Sequence, residues 1–189
     1  SFGAEQAAPP LRVIKFGGSS VGNADAFRGV HKVLRYYAPG GRSKAKVVCV
    51  LSAMMGVTDK LISAAEEAAK GNESGSLAMR EKLYGLHART VEDLLFDVHA
   101  QVKLKDYVEQ ILQETFDAQV AAIAEKGELE LHRMDAMAAI GETLSNTMMS
   151  QYLSSTGTAS ETVYAHDEFI KTTADAGGAS ADIDASVPL

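Results

Sequence analysis

Between Leu11 and Lys70 the chain runs twice through one pattern: an apolar run, a turn of small residues, then a segment with helical spacing. Leu11-Arg12-Val13-Ile14-Lys15-Phe16 is rich in β-branched and aromatic residues and is bounded by Pro10 and Gly17, which predicts a strand. Gly17-Gly18-Ser19-Ser20-Val21-Gly22 is a turn-rich connector. Phe27, Val30, Leu34 and Tyr37 then recur at helical spacing until Pro39-Gly40-Gly41 stops the helix. Lys46 to Ser52 is a second strand, so uniformly apolar that it predicts a parallel strand covered on both faces. Thr58-Asp59 opens an Ala-rich helix running to Lys70. Strand, helix, strand, helix in this order predicts an α/β fold with a right-handed crossover.

The rest of the chain changes character. Gly71 to Ser76 has the composition of a surface loop, and from Leu77 to about Thr156 the pattern is almost entirely helical. Leu83, Leu86, His87, Thr90, Val91, Leu94 and Leu95 form one broad packing stripe, and Tyr107, Ile111, Leu112, Phe116 and Val120 another. Gly127 breaks the run, and a last helix spans roughly His132 to Ser155. Glu161 to Tyr164 predicts a third strand and Phe169 to Thr172 a short fourth, ahead of an Ala/Gly/Asp/Ser tail over 174–186. The α/β rhythm resumes only to stop at Leu189, so residues 11–189 are expected to be the first part of a larger domain, behind a flexible leader at 1–10.

Composition narrows the function classes. At 46% hydrophobic and 23% charged, 189 residues suit a globular protein of about one domain and exclude collagen or wholesale disorder. A net charge of −7 carries no basic footprint for nucleic acid. No stretch approaches the roughly 20 apolar residues of a membrane span, and the expected location is cytoplasmic. Cys49 is the single cysteine and is expected to be a small buried hydrophobe. His31, His87, His99, His132 and His166 show no metal-ligand spacing and are expected to be surface or partly buried groups.

The chemistry concentrates in Lys15 to Gly22. Glycines let backbone N–H groups approach an anion, Ser19 and Ser20 add hydroxyl donors, and a following helix adds its positive end. Lys15, at the carboxyl end of its strand, projects where open α/β sheets bind ligands. The pattern is neither of the common nucleotide fingerprints, because lysine precedes the glycines. As a bare pattern it is equally a tight turn beside an exposed lysine.

Four ordered segments remove that ambiguity. Lys15-Phe16-Gly17-Gly18-Ser19-Ser20-Val21 resembles the opening signature of the aspartate kinases, within the amino acid kinase superfamily. Val47 to Leu61, with Ser52-Ala53-Met54-Met55-Gly56-Val57-Thr58 at its centre, resembles that family's next signature in order and spacing. Gly141-Glu142-Thr143-Leu144-Ser145 resembles its Gly-Glu-x-x-Ser element, and His166 to Thr172 the strand region that follows.

The resemblance implies a three-layer αβα sandwich, of which this chain is the N-terminal, substrate-binding lobe. It implies transfer of the γ-phosphoryl group of MgATP to the side-chain carboxylate of L-aspartate, giving 4-phospho-L-aspartate for lysine, threonine and methionine synthesis. Lys15 would be the catalytic cation, with Gly17, Gly18, Ser19 and Ser20 along the phosphate path. Ser52, Thr58 and Glu142 would hold aspartate, Glu142 facing its ammonium group. Mg²⁺ would be held through the nucleotide phosphates, and the full-length enzyme would be a homo-oligomer. The family's nucleotide-binding half and regulatory ACT domains have no counterpart in the sequence, so the chain alone is expected to be inactive. Two alternatives stay open: a non-catalytic binding or assembly lobe of the same fold, and another amino acid kinase acting on glutamate or acetylglutamate.

Overall fold

The computed structural model describes residues 9–38, 40–164, 171–172 and 181–182. Strand β1 (Leu11–Phe16) and strand β2 (Lys46–Leu51) pair in parallel, with Leu11 opposite Lys46 and Phe16 opposite Leu51. The Pro10 carbonyl accepts from the Lys46 N–H (2.9 Å), so pairing begins one residue before β1. Helix α1 (Ala24–Tyr37) makes the crossover, and the side chain of its N-cap Asn23 accepts from the Ala26 N–H. Ala24, Phe27, Val30, His31 and Leu34 are buried along its inner face.

Five helical segments follow before the two short strands: α2 (Val57–Ala69), α3 (Glu73–Leu94), α4 (Val98–Ile111), α5 (Ala118–Lys126) and α6 (Leu131–Ser155). A π-helical segment, Leu112–Asp117, joins α4 to α5 without a break in helical backbone angles. Helix α2 is the hub, packing against α3, α5 and α6. Its buried residues Val57, Leu61, Ala64, Ala65 and Ala68 are mostly small, which lets three neighbours approach it. Arg80 ties α3 to the helical run behind it through ion pairs with Glu109 and Asp117 (2.7 and 2.8 Å). Strands β3 (Lys171–Thr172) and β4 (Ala181–Asp182) pair antiparallel.

Several sequence expectations need correction. Gly71 to Ser76 is not a loop throughout: α3 begins at Glu73, the Asn72 side chain caps the Gly75 N–H, and the buried Ser76 hydroxyl donates to the Ala64 carbonyl. Loop-like composition here supplies a cap, since Asn and Ser satisfy the open N–H groups of a first turn. Glu161 to Tyr164 forms no strand, because a strand needs a partner and none pairs with it among the described residues. The fourth strand is present only as Lys171–Thr172, its first residues and most of the tail lying outside the described set. His87 is fully buried rather than partly so, its Nδ1 2.7 Å from the Leu83 carbonyl. A carbonyl only accepts, so Nδ1 carries the proton.

Strand β2 is not covered on both faces. Ile14, Phe16, Val47, Cys49 and Leu51 face the helices, while Leu11, Val13, Val48 and Val50 are 64%, 65%, 45% and 44% exposed. An apolar run has no polar face to mark, so its sequence cannot tell which side stays open.

Cys49 lies on the covered face, and burial pushes its thiol up to about 11. Because thiolate is the reactive form, less than about 1% would be thiolate at pH 8. A disulfide reagent should therefore label Cys49 at least ~100-fold more slowly in the native protein than in urea. Equal rates would contradict its packing against α1 and the core.

Candidate active site

The parallel register brings two loops out at one edge of the sheet. The Ser52 N–H donates to the Phe16 carbonyl (3.0 Å), continuing the ladder one step past the strands. After it, Gly17 to Gly22 and Ser52 to Gly56 diverge. The first loop closes at once into a 3₁₀ turn, Gly18–Val21, with the Ser20 N–H donating to the Gly17 carbonyl (2.9 Å). Helix α1 starts only at Ala24, so this turn, rather than the helix end, presents the backbone beside Lys15. The second loop ends at Gly56, whose φ of 73° suits glycine, and passes into α2. Lys60 donates from the first turns of α2 to the Gly56 carbonyl (3.0 Å).

Ala53 joins these parts. Its N–H donates to Glu142 Oε1 (3.2 Å), which brings a carboxylate from the middle of α6 against the second loop. A Cβ placed at Gly141 would lie 2.6 Å from the Ala53 Cβ and 3.1 Å from Val57 Cγ1, so α6 reaches this position only with glycine there. A Cβ at Gly18 would lie 2.9 Å from the Ala53 carbonyl oxygen. The three groups of Ala53 thus set the first loop, the second loop and Glu142 in register. Glycine inside a helix costs about 1 kcal/mol against alanine, and close approach is what it allows here.

Of the residues singled out in the sequence, Gly18, Ser52 and Glu142 meet at or beside Ala53. Gly17, Ser19 and Ser20 follow in the turn, Ser19 exposed and the others half-buried. Thr58 is half-buried in the first turn of α2 and is not its N-cap, a position Gly56 takes. Lys15 stands apart from Glu142, exposed at the end of the open sheet face and opposite Val50. Its ammonium makes no hydrogen bond or ion pair among the described residues, and the Ser19, Ser20, Ser52 and Thr58 hydroxyls are likewise uncommitted. Ser145 faces the core instead, its hydroxyl buried without a partner among the described residues. Among the described residues no group of three or more His, Cys, Asp or Glu side chains could hold a metal ion. Ala53 and Lys60 are the site residues sequence reasoning missed. Only Gly141, a glycine amid Ala138, Ala139, Ile140 and Leu144, signalled the close contact, and it did not name its partner.

Chemically, the sheet end gathers a glycine turn with hydroxyl donors and a helix carboxylate at Ala53, with an uncommitted cation on the neighbouring open sheet face. Such a set can cradle a polyphosphate on one side and an ammonium-bearing substrate on the other.

The model of the amino acid kinase family matches residues 10–184, and the chain belongs to that family. Within it, Aspartokinase 1 and Aspartokinase 3, both chloroplastic proteins of Arabidopsis thaliana, are each 31% identical to it over 147 residues. The match covers 77% of this chain and 24% of each relative, so the chain spans about a quarter of their length. Its fold is similar to that of E. coli aspartokinase III in complex with aspartate and ADP, with a TM-score of 0.74 at 21% identity over 93% of this chain and 35% of that one. The same enzyme in complex with lysine and aspartate matches with the same TM-score at 20% identity, over 93% and 36% of the two chains. The structural likeness shows that the chain has the fold of an αβα fragment of the amino acid kinase type. No helix among the described residues is long and apolar enough to cross a membrane.

Proposed function

We propose that the chain is the substrate-binding lobe of an aspartate kinase, which transfers the ATP γ-phosphoryl group to the side-chain carboxylate of L-aspartate. The observation that carries this reading is the convergence of the glycine turn, the Ser52–Gly56 loop and Glu142 on Ala53. In the reaction an aspartate carboxylate oxygen bonds to the γ-phosphorus as the bond from that phosphorus to the bridging oxygen breaks, giving 4-phospho-L-aspartate and ADP. A carboxylate at neutral pH is already a nucleophile and needs no general base. The protein's task is therefore to position two anions and offset their charge.

Lys15 supplies a fixed positive charge at the transferring phosphoryl group, and Gly17, Gly18, Ser19 and Ser20 line the phosphate path. Ser52 and Thr58 give aspartate hydroxyl donors. Glu142, held at the Ala53 N–H, takes the substrate's ammonium on its remaining acceptor sites. MgATP supplies the phosphoryl group, with Mg²⁺ carried through its phosphates. The nucleotide-binding half belongs to further chain that completes the domain, and the complete enzyme is a homo-oligomer feeding lysine, threonine and methionine synthesis. Its compartment is a reducing one, suited to the half-buried free thiol of Cys49: the cytosol, or a chloroplast as for the plant relatives.

Glu142 provides the test. In the complete enzyme, Glu142→Ala should raise the aspartate KM roughly 10- to 150-fold, since a charged hydrogen bond in a partly desolvated site is worth about 1.5–3 kcal/mol. The ATP KM should hold, and kcat should fall much less, because the contact is made in ground and transition states alike. Glu142→Gln keeps the volume and an acceptor for the Ala53 N–H while deleting the charge, so it should share most of the defect. Unchanged aspartate KM in both variants would remove Glu142 from the site.

A further inference from the structure

The other end of α1 carries a second concentration of charge that the proposed reaction does not use. Lys32, Arg35 and Tyr36 are spaced i, i+3 and i+4, so they share one face of the helix's last turns. The chain then reverses, and Arg42 returns beside that face. Gly41 makes the tight reversal possible, because a Cβ there would overlap the Arg35 and Tyr36 carbonyl oxygens. Together with Gly40 these residues line an open groove of about 720 Å³.

Among the described residues no carboxylate lines the groove. Elsewhere Arg28, Lys70, Arg80, Lys105, Lys126 and Arg133 each have a carboxylate within ion-pair distance. Lys32, Arg35 and Arg42 have no ion pair among the described residues. One effect of these charges is to offset the partial negative charge at the helix C-terminus. That effect is confined to the last turn and accounts for Arg35; it does not require Arg42, which lies beyond the helix, or a groove between them.

We propose that this groove is a separate binding site for a small multivalent oxyanion, bearing either phosphates or several carboxylates. Guanidinium groups pair such oxyanions through two parallel hydrogen bonds and lysine adds a point charge. The 14 residues of α1, at about 1.5 Å per residue, put the groove roughly 20 Å from the glycine turn. A ligand here therefore touches none of the proposed aspartate or phosphate contacts, and the proposal does not depend on them.

The test is calorimetric titration of the protein with inorganic pyrophosphate and, separately, with citrate at low ionic strength. Both are run in a Lys15→Met background that silences the glycine turn. Saturable 1:1 binding of either probe is expected, weakened at least tenfold by Arg35→Gln with Arg42→Gln, and accompanied by shifts of the Gly40 and Gly41 amide resonances. Preference for pyrophosphate identifies a phosphate ligand and preference for citrate a polycarboxylate. If the double variant fails to fold, Arg42→Gln alone, outside the helix, is expected to weaken binding severalfold. Absence of saturable binding, or equal affinity in the variants, would show that the charges serve only the helix end.

Discussion

Lys15→Met in the complete enzyme is expected to lower turnover by about a thousandfold while leaving the melting temperature nearly unchanged. A preorganised charge at a reacting phosphoryl group is worth about 3–4 kcal/mol of barrier. The folding side of the argument is local to β1. Lys15 is exposed, forms no ion pair among the described residues, and shares the open sheet face with Leu11 and Val13. Replacing it with an unbranched apolar side chain removes no contact that holds the strand. The measurement is steady-state ADP release with saturating aspartate and ATP, beside a thermal melt. Turnover within a few-fold of the parent would dismiss Lys15 from catalysis, and a large loss of melting temperature would make it a structural residue instead.

The second large effect is expected at Gly141. Alanine is the better helix former by about 1 kcal/mol, so on propensity alone Gly141→Ala should stabilise α6. Its new methyl, however, would meet the Ala53 Cβ at 2.6 Å and Val57 Cγ1 at 3.1 Å, both in a packed core. Overpacking of this kind costs about 1–3 kcal/mol, so the net result should be destabilisation. Because Glu142 is the next residue, displacement of α6 should also lengthen its bond to the Ala53 N–H and raise the aspartate KM.

Ala53→Gly removes the opposing methyl, at a cost of about 0.4–1 kcal/mol through the freedom it gives the unfolded chain. The double variant should recover part of the stability lost in Gly141→Ala. The Val57 contact limits that recovery. Urea midpoints of the four proteins measure the coupling, and simple additivity of the two changes would contradict direct contact between residues 53 and 141.

How far the sequence could be read depends on the kind of signal. The bounds of β1 were legible because Pro10 and Gly17 flank a β-branched run, and local chemistry settles local structure. Asn72 to Ser76 misled because the same residues that make a loop also cap a helix, and only the burial of Ser76 against α2 separates the two cases. Glu161 to Tyr164 misled because pairing is a property of two segments. For the site, Lys15 and the glycine turn stand out as sequence alone. Glu142 lies 89 residues from Ala53, and no spacing rule links them. Its candidacy came from family resemblance, and its contact with Ala53 is visible only once α6 has packed against α2.

The π-helical segment bears on how the helical half keeps its phase. The buried residues Leu104, Val108, Leu112 and Phe116 recur every fourth position. In an α-helix each four-residue step overshoots a full turn by about 40°, so such a stripe would spiral away from the core within three steps. A turn closed by i→i+5 bonds takes in about one more residue, and the step from Leu112 to Phe116 falls within it. The wider turn winds the stripe back, and Ile123 re-enters the core in α5. Removing one residue from 112–117 would leave every side chain locally at ease in an ordinary α-helix, yet rotate α5 by about 100° against its neighbours. The irregular turn thus works as a phase corrector, letting one long rod stay in contact with a core that does not follow its natural twist.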